Sequence, residues 1–159
     1  AISVGIGPGS FTGLRIGFSV SKGLCYPYNI NLIGIPTLKI LANSVDSKTD
    51  NIICLIYDKG NYFYMSRYSS DLEELISPKI QLVDEEFLDN SVNESTTIVV
   101  NTESAYSYVS EILNKEGDLT KCVISSSKMI ELSQQSFDKK IFEDLAYVEP
   151  MYVKKPYVN

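Results

Sequence analysis

AISVGIGPGSFTGLRIGFSVSKGLCY, residues Ala1 to Tyr26, is the stretch around which the rest of the chain is organised. Val4 and Ile6 alternate with small residues in a short apolar strand, and Gly7-Pro8-Gly9 then turns the backbone where glycine accepts a positive φ without steric cost. Ser10 follows as a helix N-cap. From Phe11 to about Tyr26 the spacing is helical. At about 100° per residue, Phe11, Leu14, Phe18 and Cys25 fall on one stripe and Ile16, Val20 and Leu24 on a second. Between the stripes runs a ridge of small residues, Gly13, Gly17 and Ser21, each four positions from the next, which would admit another backbone at close range. Thr12, Arg15, Ser19, Lys22 and Tyr26 are left for water.

A surface helix needs an apolar face a little over about 100° wide, whereas this one is apolar or small around roughly two-thirds of its circumference. It therefore has two surfaces to cover, one against its own sheet and the other against a helix of a neighbouring element or of another protein. Glycine inside a helix costs about 0.5–1 kcal/mol relative to alanine, so Gly13 and Gly17 point to close packing. Two other readings fit the same stretch. One is a buried crossover helix whose glycines only seat it on its own sheet. The other is a phosphate cradle, because strand, Gly-rich turn and helix N-terminus together make an anion site. Against the cradle, GPGS lacks the GxGxxG spacing and the Lys-Ser/Thr that ends a P-loop.

With 159 residues, 44% hydrophobic and 21% charged, the composition fits a soluble globular protein. The longest uninterrupted apolar run, Ile52 to Tyr57, is too short to span a bilayer, and no basic-then-apolar leader opens the chain. The expectation is a cytoplasmic protein without a membrane partner. An apolar strand beginning at once, with no Met before it, reads as the interior of a longer protein. The net charge of −6 and basic residues grouped no further than the pairs Lys139-Lys140 and Lys154-Lys155 argue against direct capture of a nucleic-acid backbone. Cys25, Cys54 and Cys122 are far apart in apolar segments and read as small buried hydrophobes. No histidine occurs anywhere, which excludes His-dependent triads, HExxH zinc sites and His-based proton shuttles within this chain.

In chain order, Ile30–Ile35 makes a second strand and Pro36 opens a helix through Leu38, Ile40, Leu41 and Val45. Short right-handed crossovers of this kind give a parallel pair. The polar break Asp46-Ser47-Lys48-Thr49-Asp50-Asn51 marks a boundary between lobes. Ile52–Tyr57 and Tyr62–Tyr68 bracket the hairpin turn Asp58-Lys59-Gly60-Asn61. A row of Tyr62, Tyr64, Ser66 and Tyr68 on one face reads as sheet packing. Strands at Lys79–Val83, Thr97–Val100 and Lys121–Ser125 alternate with helices capped by Asp84, opened by Ser104 and running from about Lys128 to Phe137. From Asn51 the order is β-β-β-α-β-α-β-α, which is ribonuclease-H-like, and residues 1–50 match its last four elements.

The residues Gly7-Pro8-Gly9-Ser10-Phe11-Thr12-Gly13-Leu14-Arg15-Ile16-Gly17 closely resemble the GPGSFTG(V/L)RIG signature of the TsaB family, also called YeaZ, of bacterial tRNA threonylcarbamoyladenosine biosynthesis proteins. Gly34-Ile35-Pro36-Thr37-Leu38 is similar to the family's second strand–helix junction, and Glu149-Pro150-Met151-Tyr152-Val153-Lys154 resembles its closing EPxYLR segment. The resemblance implies an α/β protein with the actin-like ATPase (ribonuclease-H-like) fold. It would have two lobes, the first incomplete (1–50) and the second with a C-terminal extension (51–159). Two features depart from the family pattern. The opening segment with its DTS-type motif has no counterpart here, and the Asp-Ala-Arg start of the second-lobe hairpin appears as Asp58-Lys59-Gly60.

By the same resemblance the chain is a non-catalytic scaffold for a TsaD-like catalytic subunit, which adds threonylcarbamoyl to the adenosine beside the tRNA anticodon using metal-binding histidines that this chain lacks. A TsaE-like ATPase joins the complex, tRNA is held only through it, ATP enters at the level of the complex, and the isolated chain forms a homodimer. No cofactor or metal is assigned to this chain. The family's docking helices map the partner-binding residues onto Phe11, Thr12, Gly13, Arg15, Gly17, Phe18, Ser21 and Lys22. Two readings compete with this one. The first is a nucleotide-dependent phosphotransferase of the actin-like class or a glycopeptidase-like enzyme, for which Asp58 is the one carboxylate in a comparable place. The second is a structural fragment with an unpaired first strand.

Overall fold

The computed structural model describes residues 1–45, 49–114 and 117–154. β1 (Ile2–Gly7) leads through the glycine turn into α1 (Phe11–Cys25), a single 3-10 turn (Tyr26–Tyr28), β2 (Leu32–Pro36) and α2 (Thr37–Ala42). The two strands pair in parallel, Ile2 opposite Leu32 through Gly5 opposite Ile35. After them come β3 (Asn51–Lys59), β4 (Tyr62–Ser69), β5 (Glu74–Leu82), α3 (Glu85–Ser91), β6 (Thr96–Val100), α4 (Glu103–Ile112), β7 (Asp118–Lys121), a 3-10 turn (Ser126–Met129) and α5 (Ile130–Asp138). The five later strands form one sheet in the order β5-β4-β3-β6-β7, antiparallel on the β5 side and parallel on the β7 side. This is the ribonuclease-H-like order expected from the sequence.

Local chemistry fixes the element ends. Ser10 Oγ accepts the Gly13 N–H at 3.2 Å, and Asp84 Oδ1 accepts the Phe87 N–H at 2.8 Å. The α4 cap is Thr102 rather than a residue at Ser104, since its hydroxyl accepts the Ala105 N–H. In the hairpin the strand runs on through Asp58 and Lys59, and Gly60, with φ +56°, takes the left-handed position of a shorter turn than expected. β5 begins at Glu74, earlier than the expected Lys79, because it is an edge strand and holds Pro78 at a register irregularity. β7 lies three residues before its expected start. Its pairing with β6 ends at Val100 opposite Lys121, and the apolar residues that follow leave the sheet: Cys122 and Ile124 pack under α2 while Val123 is exposed.

Two packing layers cover the large sheet. Ile53, Leu55, Phe63 and Met65 face Leu88 of α3 and Ala105 and Val109 of α4. On the opposite face Ile52, Cys54, Ile56 and Tyr68 meet Leu38, Leu41 and Ala42 of α2. The tyrosine row is thus absorbed by packing at its inner end, where burial pushes the Tyr68 hydroxyl pKa up. Burial likewise raises the Cys54 thiol pKa, with Cys122 adding to the effect.

Side-chain packing crosses the expected boundary at residue 50, whose residues 46–48 lie outside the described set. α2 covers the later sheet, and Leu132 of α5 returns to Ile33, Ile35 and Ile40. Beyond α5, Leu145 and Val148 pack on Val4, Phe18, Cys25 and Leu32. Two backbone bonds tie the same segment down: Glu143 N–H donates to the Leu32 carbonyl and Met151 N–H to the Ile6 carbonyl. Gly34 must be glycine for this return, because a Cβ there would lie 2.6 Å from both Glu143 Oε1 and Ile6 Cγ2.

Candidate functional site

The two apolar stripes of α1 have opposite fates. Phe18 and Cys25 are buried on Val4 and Leu32, with Leu14 half-buried. Ile16, Val20 and Leu24, one turn apart along the helix, stay 60%, 56% and 51% exposed, and past the helix end Tyr26 and Tyr28 are exposed as well. Nothing among the described residues covers this second stripe.

The ridge of small residues is divided: Gly13 is exposed, whereas Gly17 and Ser21 turn toward the sheet. A Cβ on Gly17 would meet Val4 Cγ2 at 3.7 Å, and Ser21 is buried, so this part of the ridge seats α1 on β1. A rotation of about 100° per residue turns Gly17 and Ser21 toward the sheet side, and the face of Ile16, Val20 and Leu24, with Gly13 among them, is the one left outside. Of the eight residues expected at a docking surface, Phe11, Thr12, Gly13 and Arg15 are exposed, Lys22 and Gly17 are half-buried, and Phe18 and Ser21 lie inside. The three residues that make the exposed stripe were legible as a stripe but were not among those eight.

A second feature lies at the N-terminal end of α1. A cleft of about 640 Å³ opens between the glycine turn, the β3–β4 hairpin and the closing segment. Tyr152 packs on Phe11 with ring centroids 5.4 Å apart, and its hydroxyl accepts a hydrogen bond from Arg15 Nε at 3.3 Å. The Arg15 guanidinium lies 3.9 Å from the Phe11 ring centroid, so this side chain is engaged within the chain and not idle on an exposed strip. Across the cleft Lys154 Nζ pairs with Asp58 Oδ2 at 2.5 Å, and both side chains are largely covered. Gly7 makes the turn possible on two counts: its φ is +106°, and a Cβ would sit 2.9 Å from the Met151 carbonyl oxygen.

The closing segment therefore bridges the two halves of the chain, holding the turn through Met151 and the hairpin through Lys154. Chemically, Asp58 is a carboxylate paired with Lys154, and the cleft walls are mainly apolar, with the rings of Phe11, Tyr57, Tyr64 and Tyr152 among them. Among the described residues no group of three or more His, Cys, Asp or Glu side chains is placed to hold a metal ion. Composition and periodicity gave no hint that Tyr152 and Lys154 belong to this site. The one available signal was the resemblance of Glu149–Lys154 to a family's closing segment.

No helix among the described residues is long and apolar enough to cross a membrane. The whole chain, residues 1–159, matches the family described as TsaD: tRNA N6-adenosine threonylcarbamoyltransferase. It is 26% identical over 167 aligned positions to the tRNA threonylcarbamoyladenosine biosynthesis protein TsaB of Haemophilus influenzae, covering 97% of this chain and 70% of that protein. To the protein of the same name from Escherichia coli it is 33% identical over 73 positions, 45% of this chain and 32% of the relative. Among solved structures it is similar to YeaZ from Pseudomonas aeruginosa, with a TM-score of 0.74 at 18% identity, covering 95% of this chain and 73% of that one. A second structure from that organism, described as an uncharacterized protein with similarity to peptidase YEAZ, superposes with a TM-score of 0.75 at the same identity, over 96% of this chain and 73% of the other.

Proposed function

Because the chain belongs to the family of tRNA N6-adenosine threonylcarbamoyltransferase TsaD, as a member of TsaB/YeaZ type, we propose that it serves tRNA threonylcarbamoyladenosine biosynthesis as a non-catalytic subunit that docks a TsaD-like catalytic partner on the outer face of α1. The observation that carries this reading is the exposed line of Ile16, Val20 and Leu24. Isolated apolar side chains on a surface need no explanation, but a contiguous stripe with polar neighbours marks an interaction site. At about 100° per residue Thr12 and Ser19, both exposed, are the polar residues nearest the Ile16 side of the stripe.

Chemistry belongs to the partner in this account. The chain has no histidine, and its one carboxylate in the cleft is paired with Lys154. With a net charge of −6 it contacts tRNA only through the complex, where ATP and a TsaE-like ATPase also enter. Without its partner the same apolar stripe supports a homodimer, and the working compartment is the cytoplasm.

The competing enzymatic reading rests on Asp58 in the cleft, and it requires that carboxylate to leave Lys154 for a metal or phosphate. Gel filtration of the chain mixed with a TsaD-type subunit separates the two readings. Co-elution of the pair, together with no hydrolysis of ATP or peptides by the chain alone, is the expected result. Elution as separate species, or metal-dependent turnover abolished by Asp58→Ala, would overturn the assignment.

A further inference from the structure

α2, the last turn of α5 and the place where β4 meets β5 enclose a pocket of about 260 Å³ to which neither α1 nor the Tyr152 cleft contributes a residue. Ile35, Leu132 and Ile141 give it apolar walls. Its charged groups are set apart from one another. Lys39 is the one charged residue of α2, a helix in which Leu38, Ile40, Leu41 and Ala42 are buried, and it is itself half-buried. Lys139 stands at the C-terminal cap of α5. Both lysines line the pocket, and neither ammonium group has an ion pair or hydrogen bond among the described residues. Glu74 lines it too, yet its carboxylate accepts from the Ser77 hydroxyl at 2.6 Å and pairs with neither lysine.

The fourth polar group is Tyr68, the cross-strand neighbour of Glu74 in the β4–β5 register. Tyr68 is 1% exposed, and its hydroxyl is buried with no hydrogen-bond partner among the described residues. Ser66, two residues earlier on β4, does not supply one, since its own hydroxyl is buried without a partner. A buried hydroxyl left in this state is destabilising, whereas one that donates to a charged acceptor is held strongly. Charge sets the class of that acceptor. Two lysines against one glutamate leave the lining with one positive charge in excess.

We propose that this pocket binds a short aliphatic carboxylate, a monoanion whose carboxylate takes Tyr68, Lys39 and Lys139 as donors and whose chain lies against Ile35, Leu132 and Ile141. A single negative charge balances the lining, while a phosphate dianion overshoots it and brings no apolar part to the walls. The volume lies just below the range of about 300–1,000 Å³ that drug-sized ligands occupy, which suits a small metabolite. Binding here is independent of docking on α1, because Ile16, Val20 and Leu24 take no part in it.

The test is a titration of the 159-residue chain with sodium hexanoate, followed by calorimetry and amide NMR. Saturable binding with a dissociation constant below about 1 mM is expected, with shifts at Gly34, Lys39, Ser136 and Lys139 and none at Val20 or Leu24. Hexanamide, of the same shape without the charge, and inorganic phosphate should each bind at least about tenfold more weakly. Tyr68→Phe keeps the ring and removes the orphaned hydroxyl, so it should weaken hexanoate at least about tenfold while the melting temperature holds or rises, a combination that a purely structural tyrosine does not give. Lys39→Met leaves the core untouched and should weaken binding on the same scale, and Glu74→Gln, which removes a like charge, should tighten it. Absence of saturable binding up to about 10 mM overturns the proposal. So does hexanamide or phosphate binding as tightly as hexanoate, wild-type affinity in the Tyr68→Phe or Lys39→Met protein, or weaker binding in Glu74→Gln.

Discussion

α1 and α4 are crossover helices of the same kind, each joining two parallel strands, and they differ in what they leave outside. α4 buries Ala105 and Val109, and its exposed residues are Glu103, Ser104, Ser107, Ser110 and Glu111. α1 buries Phe18, Ser21 and Cys25 and exposes Ile16, Val20 and Leu24 along with its polar positions. One apolar stripe is all that a crossover helix needs to sit on its sheet, as α4 demonstrates. The second stripe on α1 is not covered by any of the described residues, and it is the face proposed above for docking.

Mutations on the two faces of α1 should separate accordingly. The largest expected effect is Phe18→Ala on the inner face, which removes a ring packed against Val4 and Leu32 and should lower stability by about 3–5 kcal/mol in chemical denaturation. Val20→Ala on the outer face is its counterpart and should stay within about 0.5 kcal/mol of wild type. Gly17→Leu comes next. With only van der Waals distance to Val4, the added carbons overpack the helix–sheet contact at a cost of about 1–3 kcal/mol, seen as an early melt, and the folded fraction should still bind the partner. A Gly17→Leu protein that melts like wild type and fails to bind would place the ridge at the interface after all.

Smaller effects are expected at the cleft. Arg15→Glu loses the contact over Phe11 and the bond to Tyr152, so thermal unfolding should show a loss of about 1 kcal/mol, which a residue idle on the surface would not produce. Lys154→Ala should cost at most about 1 kcal/mol, because the pair with Asp58 retains some access to water. Its clearer signature is faster proteolysis of the closing segment.

Much of this architecture was legible because local chemistry and long-range packing agree. The glycine turn, the Ser10 cap, the parallel pairing of β1 and β2 and the five-strand order all follow from spacing and turn residues. The errors fell where an apolar run or a proline misled. Cys122 and Ile124 read as strand yet pack beneath α2 from outside the sheet, and Pro78 hid the first half of an edge strand that tolerates it. The site was legible in part. Two stripes on α1 could be counted from the sequence, but which one faces β1 depends on the angle at which Gly7 and Pro8 deliver the helix, and that is a property of the folded turn. The roles of Tyr152 and Lys154 depend on contacts 137 and 96 residues away along the chain, beyond any periodicity.

The most direct test of the account is the dissociation constant between a TsaD-type subunit and the Val20→Asp variant, measured beside its melting curve and beside Ser107→Asp on α4 as the matched control. A charge in the middle of an apolar stripe that the partner covers should raise the constant at least about 30-fold, the scale of an interface hot spot, with the melting temperature unmoved and the α4 variant binding as wild type. A folded Val20→Asp protein that binds with wild-type affinity would contradict the assignment of the outer face of α1 as the docking surface.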